Sequence, residues 1–159
     1  MPKLARTIRL DSSDLNIFAH PAGEGEWAIP GGFEFSDWTE ADLVGKARQA
    51  FANGWLSLES FGRATFVAVT RIDDAEIERL TRRLAERFVA LYGAPDLEAA
   101  LPVARDEIAF MLDLCADHRS NTLLAVSREL SPAGVREAFR AIEVSEARID
   151  QVARHGSAD

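Results

Sequence analysis

The sequence predicts a single α+β domain: an antiparallel or mixed sheet of about five to six strands, with about four helices packed mainly on one face. Three observations predict it. Ala64-Thr65-Phe66-Val67-Ala68-Val69-Thr70 has no charged side chain on either alternating face, the pattern of a central strand covered on both sides. An amphipathic helix pattern follows directly, and shorter apolar runs divided by turn residues predict hairpins around the pair. Residues 1–145 make up the expected domain and 146–159 a partly ordered tail.

Composition limits the function classes. A chain of 159 residues with 47% hydrophobic content can bury a core without staples. Its single cysteine, Cys115, excludes an internal disulfide and any multi-cysteine metal arrangement, which suits a reducing cytoplasm. The N-terminus lacks the apolar stretch of a signal peptide, and no run is long enough to span a bilayer. With 26 acidic and 18 basic residues the formal charge is −8, which disfavours nucleic acid and anionic lipid as partners. The best basic cluster, Arg79, Arg82, Arg83 and Arg87, alternates with glutamates.

Taken in order, Lys3 to Leu10 alternates as a strand with Leu4, Ile8 and Leu10 on one face. Asp11-Ser12-Ser13-Asp14 is a turn, and Leu15 to Phe18 reads as the returning strand. Trp27-Ala28-Ile29 is a short strand, broken at Pro30-Gly31-Gly32 before Phe33-Glu34-Phe35. Thr39 caps an expected helix from Glu40 to about Asn53, ended by Gly54. Trp55 to Leu58 pairs with the central strand across a turn in which Gly62 is the expected positive-φ residue.

The helix after the central strand carries several specifying features. Asp73 is its N-cap, Glu76 completes a capping-box pattern, and Ile72 with Ile77 forms a hydrophobic staple. Ile77, Leu80, Thr81, Leu84, Phe88, Leu91 and Tyr92 share one face at about 100° per residue. Gly93 and Pro95 stop it. A third helix follows, then a strand from Thr122 to Arg128. Ser131-Pro132 opens an expected final helix with Val135, Phe139 and Ile142 inward.

Several stretches resemble a known group. Leu4-Ala5-Arg6-Thr7-Ile8-Arg9-Leu10-Asp11, Glu26-Trp27-Ala28-Ile29-Pro30-Gly31, Gly45-Lys46-Ala47-Arg48 and Ser60-Phe61-Gly62 are similar to an uncharacterised family of small bacterial proteins. That family has no assigned activity, so the resemblance implies no catalytic residue.

No motif carries a reaction, and no cofactor is expected. Asp113, Asp117 and His118 are weak metal candidates: Asp106, Asp113 and Asp117 fall within about 40° on a helical wheel. Ala104, Ile108, Met111, Leu112 and Cys115 lie almost opposite, so the acidic row reads first as solvated surface. His20, in a loop near Glu24 and Glu26, has the composition of a weak base site, although a polar-loop histidine is commonly plain surface. Gly23-Glu24-Gly25-Glu26 lacks the third glycine of a phosphate loop and carries repelling carboxylates.

The aromatic residues say more. Trp27, Phe33, Phe35 and Trp38 cluster, which suggests an aromatic-lined pocket that His20, Glu26, Trp27 and Phe33 would serve. Val103, Phe110 and Leu114 form a second apolar arc on the third helix, covered either by a neighbouring helix or by a second copy of the chain. Two functions survive: a cytoplasmic interaction or accessory protein, expected as a homodimer or with a protein partner, and a small-molecule binder or small enzyme. The absence of a nucleophile, metal set or cofactor fingerprint favours the first.

Overall fold

The computed structural model describes residues 1–9 and 14–142. Among these residues seven strands form one antiparallel sheet: β1 (Lys3–Ile8), β2 (Trp27–Ile29), β3 (Trp55–Ser57), β4 (Arg63–Ala64), β5 (Phe66–Arg71), β6 (Leu123–Ser131) and β7 (Gly134–Ile142). Their order is β4-β3-β2-β1-β5-β6-β7. The α-helices are α1 (Asp14–Ile17), α2 (Gly45–Asn53), α3 (Asp74–Leu91) and α4 (Leu97–Ala116). Short 3-10 turns occupy Gly32–Phe35 and Glu40–Asp42.

The expected central strand holds only from Phe66 on, because Arg63–Ala64 form the separate β4. Trp55–Ser57 pairs with β4 and β2, so the expected hairpin between Trp55 to Leu58 and the central strand does not form. β5 lies between β1 and β6, with Val67, Ala68 and Val69 buried. Register pairs Ala5 with Val69, Thr7 with Val67, and Val67 with Leu124, joining three strands into one core layer. On α3, Asp73 Oδ1 accepts from the Glu76 amide at 2.8 Å, and Gly93 takes φ 77° beyond the helix end. Glu76 does not close the capping box; its carboxylate accepts from Trp27 Nε1 at 3.1 Å and from Arg79 Nε at 2.8 Å. Leu80, Thr81, Leu84 and Phe88 are buried as the periodicity requires, whereas Leu91, at the last turn, is 60% exposed.

Seven strands replace the five to six expected, and the differences have physical causes. The predicted final helix is β7. Val135 and Phe139 are four residues apart, a spacing that fits one helical face and one strand face equally. A nine-residue ladder from Leu123↔Ile142 to Ser131↔Gly134 decides for the strand, closed by Pro132-Ala133. The predicted strand Leu15 to Phe18 is instead the single turn α1, because both edges of β1 are occupied by β2 and β5. Phe33-Glu34-Phe35 forms a 3-10 turn started by Gly31 at φ 67°.

The predicted helix from Glu40 splits in two. Thr39 and Asp42 cap one 3-10 turn, then Gly45 at φ 57° interrupts the right-handed path before α2. In the turn after β3, Phe61 rather than Gly62 has positive φ, 58°. Gly62 is needed for space: a Cβ there would lie 2.7 Å from the backbone of Pro21 and Ala22. The expected strand residue Leu10, the turn through Ser13 and the C-terminal tail lie outside the described residues.

α3 and α4 pack together, and α4 lies across β1 and β2. α2 touches both β4, the first strand in the order, and β6, the sixth. The sheet therefore curls until β4, at one end, and β6, next to the other end, share a neighbour.

Candidate functional site

Two arginines close that curl. Arg63 on β4 donates from Nη1 to Pro30 O at 3.2 Å and Gly54 O at 3.0 Å, and from Nη2 to Gly31 O at 3.1 Å. Arg128 on β6 donates from Nη1 to Phe51 O at 3.0 Å and Gly54 O at 2.9 Å, and from Nη2 to Pro30 O. Both guanidinium groups thus share two carbonyl acceptors, and both lie over the Phe35 ring, at 4.5 and 5.1 Å.

Each arginine has its own carboxylate. Arg63 pairs with Glu34, and Arg128 Nε donates to Glu137 Oε2 at 2.6 Å. Burial pulls the Arg63 pKa down to about 10 against the raising influence of Glu34, and burial lowers that of Arg128 against Glu137. Both remain cations at neutral pH. Tyr92 donates to Glu34, and burial followed by that hydrogen bond pushes its phenol up to about 12. This arginine brace joins β4, β6, α2 and the Pro30–Phe35 segment through groups that nearly all have partners.

Directly outside the brace is a cleft of about 360 Å³. Gly32 and Phe33 line it from the 3-10 turn, Glu107 and Phe110 from α4, Val135 and Glu137 from β7. Gly32 leaves room for the Glu137 carboxylate; a Cβ there would lie 2.3 Å from Glu137 Oε2. Glu137 is held by Arg128, but Glu107 is treated differently. Among the described residues no donor reaches its carboxylate, and its electrostatic neighbours, Glu137 and Asp106, share its sign. Burial first, then those two carboxylates, raise its pKa.

The sequence-predicted residues are divided by the fold. Phe33 and Phe110, assigned by sequence to different roles, line the same cleft. Val103 is 53% exposed and Phe110 49%, while Leu114 is half-buried and packs against the core. Phe110 also contacts Phe139, ring centroids 5.6 Å apart, and Phe139 leads inward to Trp55 at 5.8 Å. Trp27 is buried away from the cleft, under the Arg6 guanidinium at 4.1 Å.

His20 Nε2 lies 3.0 Å from Ser60 O in an exposed loop, and Glu26 Oε1 accepts from Ser60 Oγ at 2.6 Å and Gly23 N at 3.1 Å. These contacts tie loops together. Asp113 and Asp117 are exposed, and His118 serves through its backbone, accepting from Lys3 Nζ at 2.8 Å. Among the described residues no three His, Cys, Asp or Glu side chains are grouped to hold a metal ion. Cys115 is buried, and burial pushes its thiol up to about 12, so it packs as an apolar residue.

A family model covers residues 1–159. The chain belongs to DUF6505, a family of unknown function. No curated protein and no solved structure matches it. Membership in DUF6505 brings no assigned activity, so the chemistry of the cleft rests on its own geometry. Among the described residues of this DUF6505 chain, no helix is long and apolar enough to cross a membrane.

Sequence reasoning missed Glu34, Arg63, Glu107, Arg128 and Glu137. A signal for one existed: Leu124, Val126 and Arg128 alternate in phase, so Arg128 stands where the strand pattern demands burial. Glu107 lies four residues after Val103 and three before Phe110, inside the second apolar arc.

Proposed function

We propose that the protein is a cytoplasmic, non-catalytic binding or accessory protein that works through the outer face of α4 and the adjoining cleft. The observation that carries this reading is the convergence of Phe33 and Phe110, from separate elements, on a concave site that also receives Glu107. Binding accounts for these groups better than turnover does. Glu137 is committed to Arg128, which leaves Glu107 without a second free carboxylate for paired acid–base work. A thermal-shift screen of metabolites tests it, since a ligand of the folded state raises the melting temperature. A hit whose effect disappears in Phe110→Ala supports the cleft; hits indifferent to Phe110→Ala remove it.

A homodimer through the same face is the second reading, favoured by the exposure of Val103 and Phe110 on one helix. Native mass measurement decides it. A dimer that Phe110→Ser dissociates supports the reading, and a monomer at high concentration ends it.

A further inference from the structure

We propose that the cleft between the Gly32–Phe35 turn, α4 and β7 binds a small organic cation: an ammonium or guanidinium group on a short apolar stem. The proposal rests on the cleft reading above and names the ligand class. Three features of the site select it. Two aromatic rings, Phe33 and Phe110, line the walls, and a cation with an apolar stem uses both ring faces and ring edges. Two carboxylates from different elements, Glu107 and Glu137, enter the same space. Among the described residues, only Glu137 has a counter-ion.

That asymmetry gives the site its sign. The Arg128 guanidinium is wholly enclosed and spends its donors on Glu137, Phe51, Gly54 and Pro30, so its charge is used within the brace. Among the described residues, the charges that act on Glu107 are those of Glu137 and Asp106, both of its own sign. An anion entering the cleft would meet two carboxylates at close range, and a neutral apolar group would leave Glu107 partly desolvated and unpaired. A cation removes both penalties. The volume of about 360 Å³ is at the small end of ligand sites, which fits a short alkylamine or aminoalkylguanidine better than a nucleotide.

The probes are agmatine and n-pentylamine, with 1-pentanol and valerate as the neutral and anionic analogues of pentylamine. Calorimetric titration is expected to show saturable binding of a cation, weaker in high salt. Glu107→Gln and Phe110→Ala are each expected to weaken it by tenfold or more, with unchanged far-UV circular dichroism showing that both variants fold. Binding of pentanol or valerate at least as tight as the cations, and still lost in Phe110→Ala, would overturn the cation assignment while keeping the cleft. Cation binding indifferent to both substitutions would overturn it as well. If neither cation binds, the assignment fails, and the wider metabolite screen shows separately whether the cleft reading survives.

Discussion

The segment Pro30–Phe35 has a brace on one side and a cleft on the other, and the two handle charge in opposite ways. On the inner side, Arg63 and Arg128 are taken out of water but meet carbonyl oxygens of Pro30, Gly31, Phe51 and Gly54 and the carboxylates of Glu34 and Glu137. On the outer side, across the cleft, Glu107 is half-buried, and among the described residues the charges acting on it, Glu137 and Asp106, share its sign. Satisfied burial holds a fold together, while unsatisfied burial opposes folding and is retained where something else binds. Glu137 belongs to both sides, its Oε2 on Arg128 and its carboxylate lining the cleft.

The largest effect should come from the brace. Arg128→Met leaves the Phe51 carbonyl without the Arg128 donor, Gly54 O with Arg63 alone of the two arginines, and the Glu137 carboxylate without its cation. Breaking a buried pair from one side costs about 3–5 kcal/mol, read as a large drop in the urea midpoint. Arg128→Lys keeps the charge but not the planar fork, so it should still lose about 2 kcal/mol. A urea midpoint for Arg128→Met equal to that of the parent would mean that the two sides do not differ as described.

Gly32→Ala probes the boundary itself. The new Cβ would lie 2.3 Å from Glu137 Oε2, and the carboxylate cannot retreat without loosening its 2.6 Å contact with Arg128 Nε. Overpacking of this kind costs about 1–3 kcal/mol. The methyl group would also intrude on the cleft, so the variant should lose stability and ligand together. If stability falls but binding at the cleft is untouched, brace and cleft are less closely joined than their shared glutamate implies.

The sequence made one side of this contrast partly legible and the other hardly at all. β5 could be read as a short run with no charged side chain on either face, and α3 from its 3.6-residue period and an Asp73 cap that forms as expected. Val135 and Phe139 were ambiguous because their spacing suits both periods, and only pairing with β6 across the sheet resolves it. The brace depends on β4 and β6 curling toward α2, a long-range event with no local sequence signal. Arg128 left a trace, a charged residue in phase with Leu124 and Val126. Glu107 left less, since an acidic residue on a helix surface looks the same in sequence whether solvent or Glu137 faces it. Phe33 and Phe110 could each be singled out, but they stand 77 positions apart in the chain, and only the fold brings them together.

The smallest effect carries the opposite sign to the others. Burial and the neighbouring carboxylates hold the Glu107 carboxyl above its ordinary range, so folding favours its protonated form. The stability this supplies is present below the unfolded-state pKa and is lost as pH rises through the higher folded value. Glu107→Gln removes that loss. The group keeps substantial contact with solvent, so screening limits the gain to a few tenths of a kcal/mol, roughly 1 °C in melting temperature at neutral pH. At about pH 3, where the carboxyl is protonated in both states, parent and variant should melt together. A variant that melts higher at neutral pH but binds agmatine more weakly would show a residue kept for its ligand at the expense of the fold. Should Glu107→Gln melt lower than the parent at neutral pH, Glu107 is another structural anchor, and the brace and the cleft obey the same rule after all.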